Sequence, residues 1–177
     1  NKEGKYNVAV GSFTLQSNTE GEGNTGIGNG VLTANTTGNR NTAVGQAALT
    51  SNTIGNDNTA MGFGALYTNT TGANNVAIGD STLKNNTTGG ANTALGYQSL
   101  FANTTSGGNV GVGFRSLYSN TTGQNNIGIG HEALYSNTTS EYNVALGHNG
   151  LYANTTGDYN IAIGAFALDA NTTASNN

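Results

Sequence analysis

Hydrophobic and polar positions recur along this chain with a fixed period of 17 residues. Ten copies of the unit, each opening on Asn, fill residues 7–176 without insertion or deletion, and residues 1–6 match the end of a preceding copy. We number the positions of each copy one to seventeen from its first Asn. Such a period is typical of solenoids, in which each repeat packs on its neighbours. The pattern therefore predicts a single β-repeat domain over residues 1–177.

Each copy contains two short segments with the pattern of β-strands. Positions two to four alternate a larger side chain, Ala or Gly, and an aliphatic side chain, and this period of two predicts a strand that the invariant Gly at position five ends. Positions eight to eleven, as in 65–68 and 133–136, predict a second strand, and the Asn-Thr-Thr-Gly run after it predicts a turn. We therefore expect an all-β fold, either a repeat solenoid or stacked β-hairpins, with ten rungs of 17 residues and two short strands in each. Two narrow facing sheets are the favoured arrangement.

Large apolar side chains fall mainly at positions two, four and nine, and we expect them to form the core. Ala or Gly at position three should allow another backbone to approach closely. Asn at positions one and twelve should form side-chain amide ladders, as in cross-β stacks, and the aromatic residues at position ten (Tyr67, Phe101, Tyr118, Tyr135 and Tyr152) should stack. Position nine is always Leu, and this core column comprises Leu15, Leu32, Leu49, Leu66, Leu83, Leu100, Leu117, Leu134, Leu151 and Leu168.

Composition narrows the possible partners. Only 8% of residues are charged and the net charge is −4, with Lys and Arg scattered, so no basic stripe exists to neutralise phosphates and we expect no nucleic-acid partner. The chain has no Cys, which removes disulfides and thiolate metal sites. No apolar run approaches the roughly 20 residues of a membrane span. Low charge suits a stacked array, because like charges in one column would lie about 4.8 Å apart.

The Asn-Thr-Thr run matches the acceptor pattern for N-linked glycosylation. Asn85 also fits the pattern, through Thr87, whereas Asn18 and Asn52 do not. Because the Asn-Thr pair persists in the two copies that lack the pattern, the alternative interpretation is a turn that needs these side chains for hydrogen bonding. The glycosylation candidates at position twelve are Asn35, Asn69, Asn86, Asn103, Asn120, Asn137, Asn154 and Asn171.

No set of residues predicts catalysis, and we expect no enzyme, no catalytic residue and no cofactor. The carboxylates are scattered, and no nucleophile, base and acid stand out together. His131 and His148 share position six in adjacent copies and Glu132 follows the first, but a metal site needs more ligands, so surface histidines are the favoured interpretation and no metal is assigned.

Both ends of the sequence fall within a copy, without the capping repeats that solenoids use to protect their last strands. This predicts either head-to-tail stacking of copies into a filament or a piece of a longer array. Lateral or trimeric association of copies is a further possibility. The absence of Met at the start favours processing or a fragment, and processing suggests export.

Residues 41–45, 75–79 and 160–164, which read NTAVG, NVAIG and NIAIG, resemble the β-roll head repeats of trimeric autotransporter adhesins and related repeats of phage tail fibres. The resemblance touches every copy over about five positions. It implies an extracellular, fibrous, non-enzymatic protein. We therefore expect a structural subunit of an extracellular filament that self-assembles by β-stacking and carries glycans. The alternatives are an adhesin or tail-fibre shaft that binds a surface glycan and, through its Thr residues, an ice-binding protein.

Overall fold

A computed structural model describes residues 3–177, so Asn1 and Lys2 of the partial first copy lie outside the described residues. Each copy contributes one strand of three residues, and the ten strands pair in chain order into a single parallel sheet. The strands are β1 (Val8–Val10), β2 (Thr25–Ile27), β3 (Thr42–Val44), β4 (Thr59–Met61), β5 (Val76–Ile78), β6 (Thr93–Leu95), β7 (Val110–Val112), β8 (Ile127–Ile129), β9 (Val144–Leu146) and β10 (Ile161–Ile163).

The register confirms an all-β solenoid. Val76 pairs with Thr93, and Val110 with Ile127, so every strand lies beside the strand 17 residues away. Hairpins would make neighbouring strands antiparallel, so the solenoid is the correct one of the two predicted arrangements. Residues 3–177 form no helix, and hence none that is long and apolar enough to cross a membrane.

The structure differs from the prediction in the second segment of each rung. Positions six to eleven form turns instead of a second strand, so one sheet replaces the two facing sheets. The cause is the Leu at position nine, whose φ of 49–54° lies far from the negative φ that a strand requires. Backbone pairing between rungs nevertheless continues here, since Leu66 donates to the carbonyl of Thr82 over 3.0 Å and Thr68 to that of Lys84 over 3.1 Å.

The orientation of the strands also corrects the predicted core. Position three points inward, and Ala60 and Ala94 are fully buried, whereas the larger side chains at positions two and four point outward, as at Ile129. The interior is too narrow for the reverse orientation. A Cβ added at Gly128 would lie 2.7 Å from Oγ of Ser116 and 3.3 Å from Cγ of Leu117, both in the preceding rung, so no residue larger than Ala fits opposite the Leu column.

The Leu column at position nine occupies this narrow interior. Its members from Leu32 to Leu151 are fully buried, Leu15 is 7% exposed and Leu168, in the last rung, is 38% exposed. The left-handed backbone costs about 1–2 kcal/mol for a residue with a Cβ. Burial of a Leu side chain gains about 1.5–3 kcal/mol, so burial compensates for the strained turn that aims the side chain inward.

Gly at position five has a different role, at the end of each strand. Its φ of 118–140° belongs to glycine almost alone. A Cβ at Gly96 would lie 2.6 Å from the carbonyl oxygen of Gly113 in the next rung, which no real contact permits. The invariance of this Gly therefore follows from both its backbone conformation and the close approach of the rungs.

Truncation of one Leu in the column should destabilise the rod. We expect Leu100→Ala, which leaves a cavity in the narrow interior, to lower the free energy of unfolding by about 2–5 kcal/mol in urea denaturation. Ile54→Ala is the control, because Ile54 is 51% exposed in a turn, and its effect should stay within about 0.5 kcal/mol. Equal effects of the two substitutions would contradict the assigned core.

Candidate functional site

The Asn at position twelve forms a ladder inside the rod. In this ladder, Asn69 Nδ2 donates to Asn52 Oδ1 of the preceding rung over 2.9 Å and to the carbonyl of Gly72 in its own turn over 3.0 Å. Asn86 Nδ2 donates in turn to Asn69 Oδ1 over 2.8 Å. Each side chain thus closes its own turn and ties two rungs together, which explains why the Asn persists in copies that lack the glycosylation pattern.

A second ladder runs along position one, immediately before each strand. Asn75 Nδ2 lies 3.1 Å from Asn58 Oδ1 and 2.9 Å from the carbonyl oxygen of Gly89, and donates to both. The backbone N–H of Asn75 also donates to Asn58 Oδ1, over 3.0 Å. These side chains are fully buried, and buried polar groups stabilise a fold only when their hydrogen bonds are made. Both ladders meet that condition.

The position-twelve ladder determines which candidate asparagines are accessible to N-linked glycosylation. Of the eight candidate asparagines at this position, those from Asn35 to Asn154 are fully buried and Asn171 is partly exposed. An N-linked glycan is carried on Nδ2, the atom that makes the ladder hydrogen bonds. Asn85 at position eleven differs, because its side chain is partly exposed and belongs to neither ladder.

Two columns of stacked rings run side by side in the C-terminal half of the rod. At position ten, Phe101, Tyr118, Tyr135 and Tyr152 stack with centroids 5.2 Å apart at each step. Tyr67 does not join this stack because Lys84 lies between it and Phe101 in the column.

The other column, at position six, was not predicted as a stack. It contains Tyr97, Phe114, His131 and His148, with centroid distances of 5.4, 5.0 and 5.0 Å. Four flat rings at one position in successive copies were the signal in the sequence that could have revealed it. The guanidinium of Arg115 bridges the two columns, 5.1 Å from the ring of Phe114 and 5.4 Å from that of Tyr118.

This stacking limits what the aromatic rings can bind. A sugar packs against the open face of an aromatic ring, but within each stack the faces are covered by the rings of neighbouring rungs. The rings of Tyr118 and Tyr135 are nearly parallel, with 4° between their planes, so the position-ten column presents ring edges to solvent. The columns therefore stabilise the rod and offer a poor surface for a glycan.

The two histidines lie together without forming a metal centre. His131 stacks on His148, and its Nδ1 lies 3.8 Å from Oε2 of Glu132. Across residues 3–177, no three or more His, Cys, Asp or Glu side chains are grouped so that they could hold a metal ion.

The outward side chains of the sheet form a continuous surface, which we call the aliphatic face. It consists of two columns about 7 Å apart, and at about 4.8 Å per rung it runs for roughly 43 Å. Ile27, Ile129 and Leu95 are 41%, 41% and 45% exposed. The position-two column is Val8, Thr25, Thr42, Thr59, Val76, Thr93, Val110, Ile127, Val144 and Ile161. The position-four column is Val10, Ile27, Val44, Met61, Ile78, Leu95, Val112, Ile129, Leu146 and Ile163.

One ion pair lies outside these columns. Arg40 Nε and Nη2 donate to the two carboxylate oxygens of Asp57 over 2.6 and 2.8 Å. These hydrogen bonds hold the pKa of Asp57 below its usual value and raise the pKa of Arg40. A lowered carboxyl pKa contributes stability above the unfolded pKa, and that contribution is lost as pH falls through the folded pKa. Because both side chains face solvent, the contribution is small.

Replacement of a ladder amide by a carboxylate should break the ladder. Asn69→Asp removes two N–H donors and buries a charge against two acceptors, so we expect it to lower the free energy of unfolding by about 3–5 kcal/mol in urea denaturation. Asn125→Asp is the matched control, since Asn125 is exposed at position seventeen, where Asp57 already occupies the same left-handed conformation. Comparable stability of the two variants would contradict the ladder.

The ladder also predicts where N-linked glycans can lie. In a host that glycosylates Asn-x-Thr, we expect the folded, protease-resistant rod to carry glycan at the partly exposed Asn85 and none at the buried candidates, because glycosylation of Asn69 or Asn103 would disrupt the ladder. Glycopeptide mass spectrometry of that resistant fraction measures the occupancy of each site. A glycan on Asn69 or Asn103 in folded material would contradict the prediction.

Comparisons with protein-family models, with curated proteins and with solved structures find no match for this chain. The resemblance to adhesin head repeats therefore depends on the residues at positions one to five alone.

Proposed function

We propose that this chain is a structural, non-enzymatic subunit of an extracellular filament, in which copies associate side by side through the aliphatic face. The observation that carries the proposal is the outward orientation of positions two and four along all ten strands. Single exposed apolar residues are ordinary, but the position-four column is apolar in every rung, and a continuous apolar column of this kind marks an interaction surface.

A second copy of the same chain fits this surface best. Its aliphatic face repeats every rung with the same spacing, so two rods aligned along their axes can interdigitate over their whole length. Removal of apolar surface from water gains about 25 cal/mol per Å². A gain repeated at every rung would outweigh the entropy of association more readily than any single contact.

Growth along the axis is the other part of the proposal. Each rung pairs with the next through backbone hydrogen bonds, and the edge of a parallel sheet offers unpaired N–H and C=O groups to a further strand. Head-to-tail pairing of copies would continue the same register. Because the position-twelve candidates from Asn35 to Asn154 are buried, N-linked glycans on such a filament would be carried at partly exposed asparagines such as Asn85.

Two other functions use the same rod. An adhesin or tail-fibre shaft would share the lateral association, but a glycan ligand would find the ring faces of the aromatic columns covered. Ice binding has one specific observation in its favour, since Thr25, Thr42 and Thr59 project from three successive rungs of the aliphatic face. Measurement of thermal hysteresis in a solution of the purified rod tests ice binding directly, and no hysteresis would exclude that function.

Charges placed on the aliphatic face should prevent lateral association. We expect Val112→Lys combined with Ile129→Lys to weaken self-association by about tenfold or more in sedimentation velocity, since two charges would have to be desolvated in the interface. The matched control is Thr105→Lys with Thr122→Lys, which adds the same charge at exposed position-fourteen turns. A parent protein that stays monomeric at high concentration, or equal effects of the two pairs, would overturn the proposal.

A further inference from the structure

A surface cavity of about 340 Å³ lies in the N-terminal part of the rod, away from the aliphatic face and the aromatic columns. Tyr6, Glu22, Gly23, Asn39 and Arg40 line it. These residues occupy positions sixteen and seventeen of three successive rungs. The volume lies at the small end of the range for small-molecule sites.

The cavity lies where position seventeen has no side chain, in a column that stacks two rings elsewhere in the rod. Position seventeen stacks flat side chains, since Tyr142 and Tyr159 lie in successive rungs with centroids 5.0 Å apart and 5° between their planes. In the cavity, Gly23 stands between the exposed Tyr6 and Arg40 in the same column, so no side chain occupies the space between them. With rungs about 4.8 Å apart, Tyr6 and Arg40 are separated by roughly 9.6 Å. A ring placed midway would lie about 4.8 Å from each, within the range of stacked aromatic groups.

Arg40 forms one wall of this gap. The guanidinium of Arg40 makes two hydrogen bonds with Asp57 of the following rung, at 2.6 and 2.8 Å. A guanidinium plane stacks well on aromatic faces. A Cβ added at Gly23 would lie 3.6 Å from Cγ of Arg40, an ordinary contact, so the Arg stem borders the gap without filling it.

The charges around the gap indicate what kind of ring it would accept. Lys5 and Glu22 are neighbours at position sixteen, and Arg40 is paired with Asp57, so two positive and two negative groups balance. A charged ligand therefore gains little from the site. The exposed carboxylate of Glu22 at the rim can accept a hydrogen bond from a hydroxyl or N–H on an uncharged ring.

We infer that Tyr6, Gly23 and Arg40 form a binding slot for one uncharged, planar aromatic ring bearing a hydroxyl or N–H group, with a phenol as the model ligand. The ring stacks between Tyr6 and Arg40, and its donor reaches Glu22. A free aromatic compound and a Tyr side chain of another copy supply the same chemistry. The slot does not depend on the proposed filament.

The test is a titration of the parent protein with p-cresol, the side-chain analogue of Tyr, followed by ¹H–¹⁵N NMR. We expect saturable shifts at the backbone N–H groups of Gly23 and Arg40, with a dissociation constant in the range of about 1–10 mM for so small a ligand. Gly23→Tyr fills the slot with a side chain that this backbone accepts, because Gly23 has a φ of 66° and Tyr142 in the same position has 57°. This variant should lose at least tenfold in affinity.

Ala91→Tyr is the matched control, since it adds the same ring at an exposed position seventeen outside the slot and should leave affinity unchanged. No saturable shift in the parent, full binding by Gly23→Tyr, or loss of binding by Ala91→Tyr would each overturn the slot. Sedimentation of the parent with and without p-cresol then distinguishes the two sources of the ring. Dissociation of copies by p-cresol assigns a Tyr of another copy, and unchanged sedimentation assigns a free aromatic compound.

Discussion

The hydrogen bonds from one buried Asn side chain to the next are the constraint on which this rod depends. Each rung is too thin to hide its own turns, so the amide at position twelve closes its turn, as Asn69 does with Gly72, and shares its oxygen with the next rung. A rung of different length would displace both ladders at once and leave buried amides without partners, at a cost of about 1–3 kcal/mol for each group. The uniform period of the chain follows from this requirement.

The narrow interior links stability to function. Because only Ala or Gly fits opposite the Leu column, the large β-branched residues of every strand must point outward, and the same geometry that stabilises the rung creates the aliphatic face. Leu100 and Ala94 fill the inside while Thr93 and Leu95 occupy the outside of one rung. In most globular proteins the larger apolar residues of a strand form the core. Here they form the surface that we propose as the contact between copies.

The repeat length, the stacking of each copy on the next and the Leu column could be predicted from periodicity, because a period copied ten times leaves little choice of register, but the choice between a parallel solenoid and stacked hairpins could not. Which side chains of each strand point inward could not be predicted. The alternation in 76–78 is equally compatible with Ala77 inside or outside. The left-handed conformation of Leu83, which the residue pattern does not reveal, makes the interior so narrow that the small Ala77 must point inward. For the same reason the pattern at positions eight to eleven predicts a strand where the structure has a turn. The slot at Gly23 depends on which residues lie above and below it, which follows from the sequence once the register is known.

The two ladders also give the rod a direction. In both, the amide nitrogen of each rung donates toward the N-terminal neighbour, as from Asn75 to Asn58 and from Asn86 to Asn69, so the side-chain dipoles add instead of cancelling. Any cross-section would therefore expose amide oxygens on one cut surface and amide hydrogens on the other. Two cut surfaces of the same kind could not pair, because amide oxygens would face oxygens or amide hydrogens would face hydrogens. Polymers built by stacking such rods would be polar, with chemically distinct ends that grow at different rates.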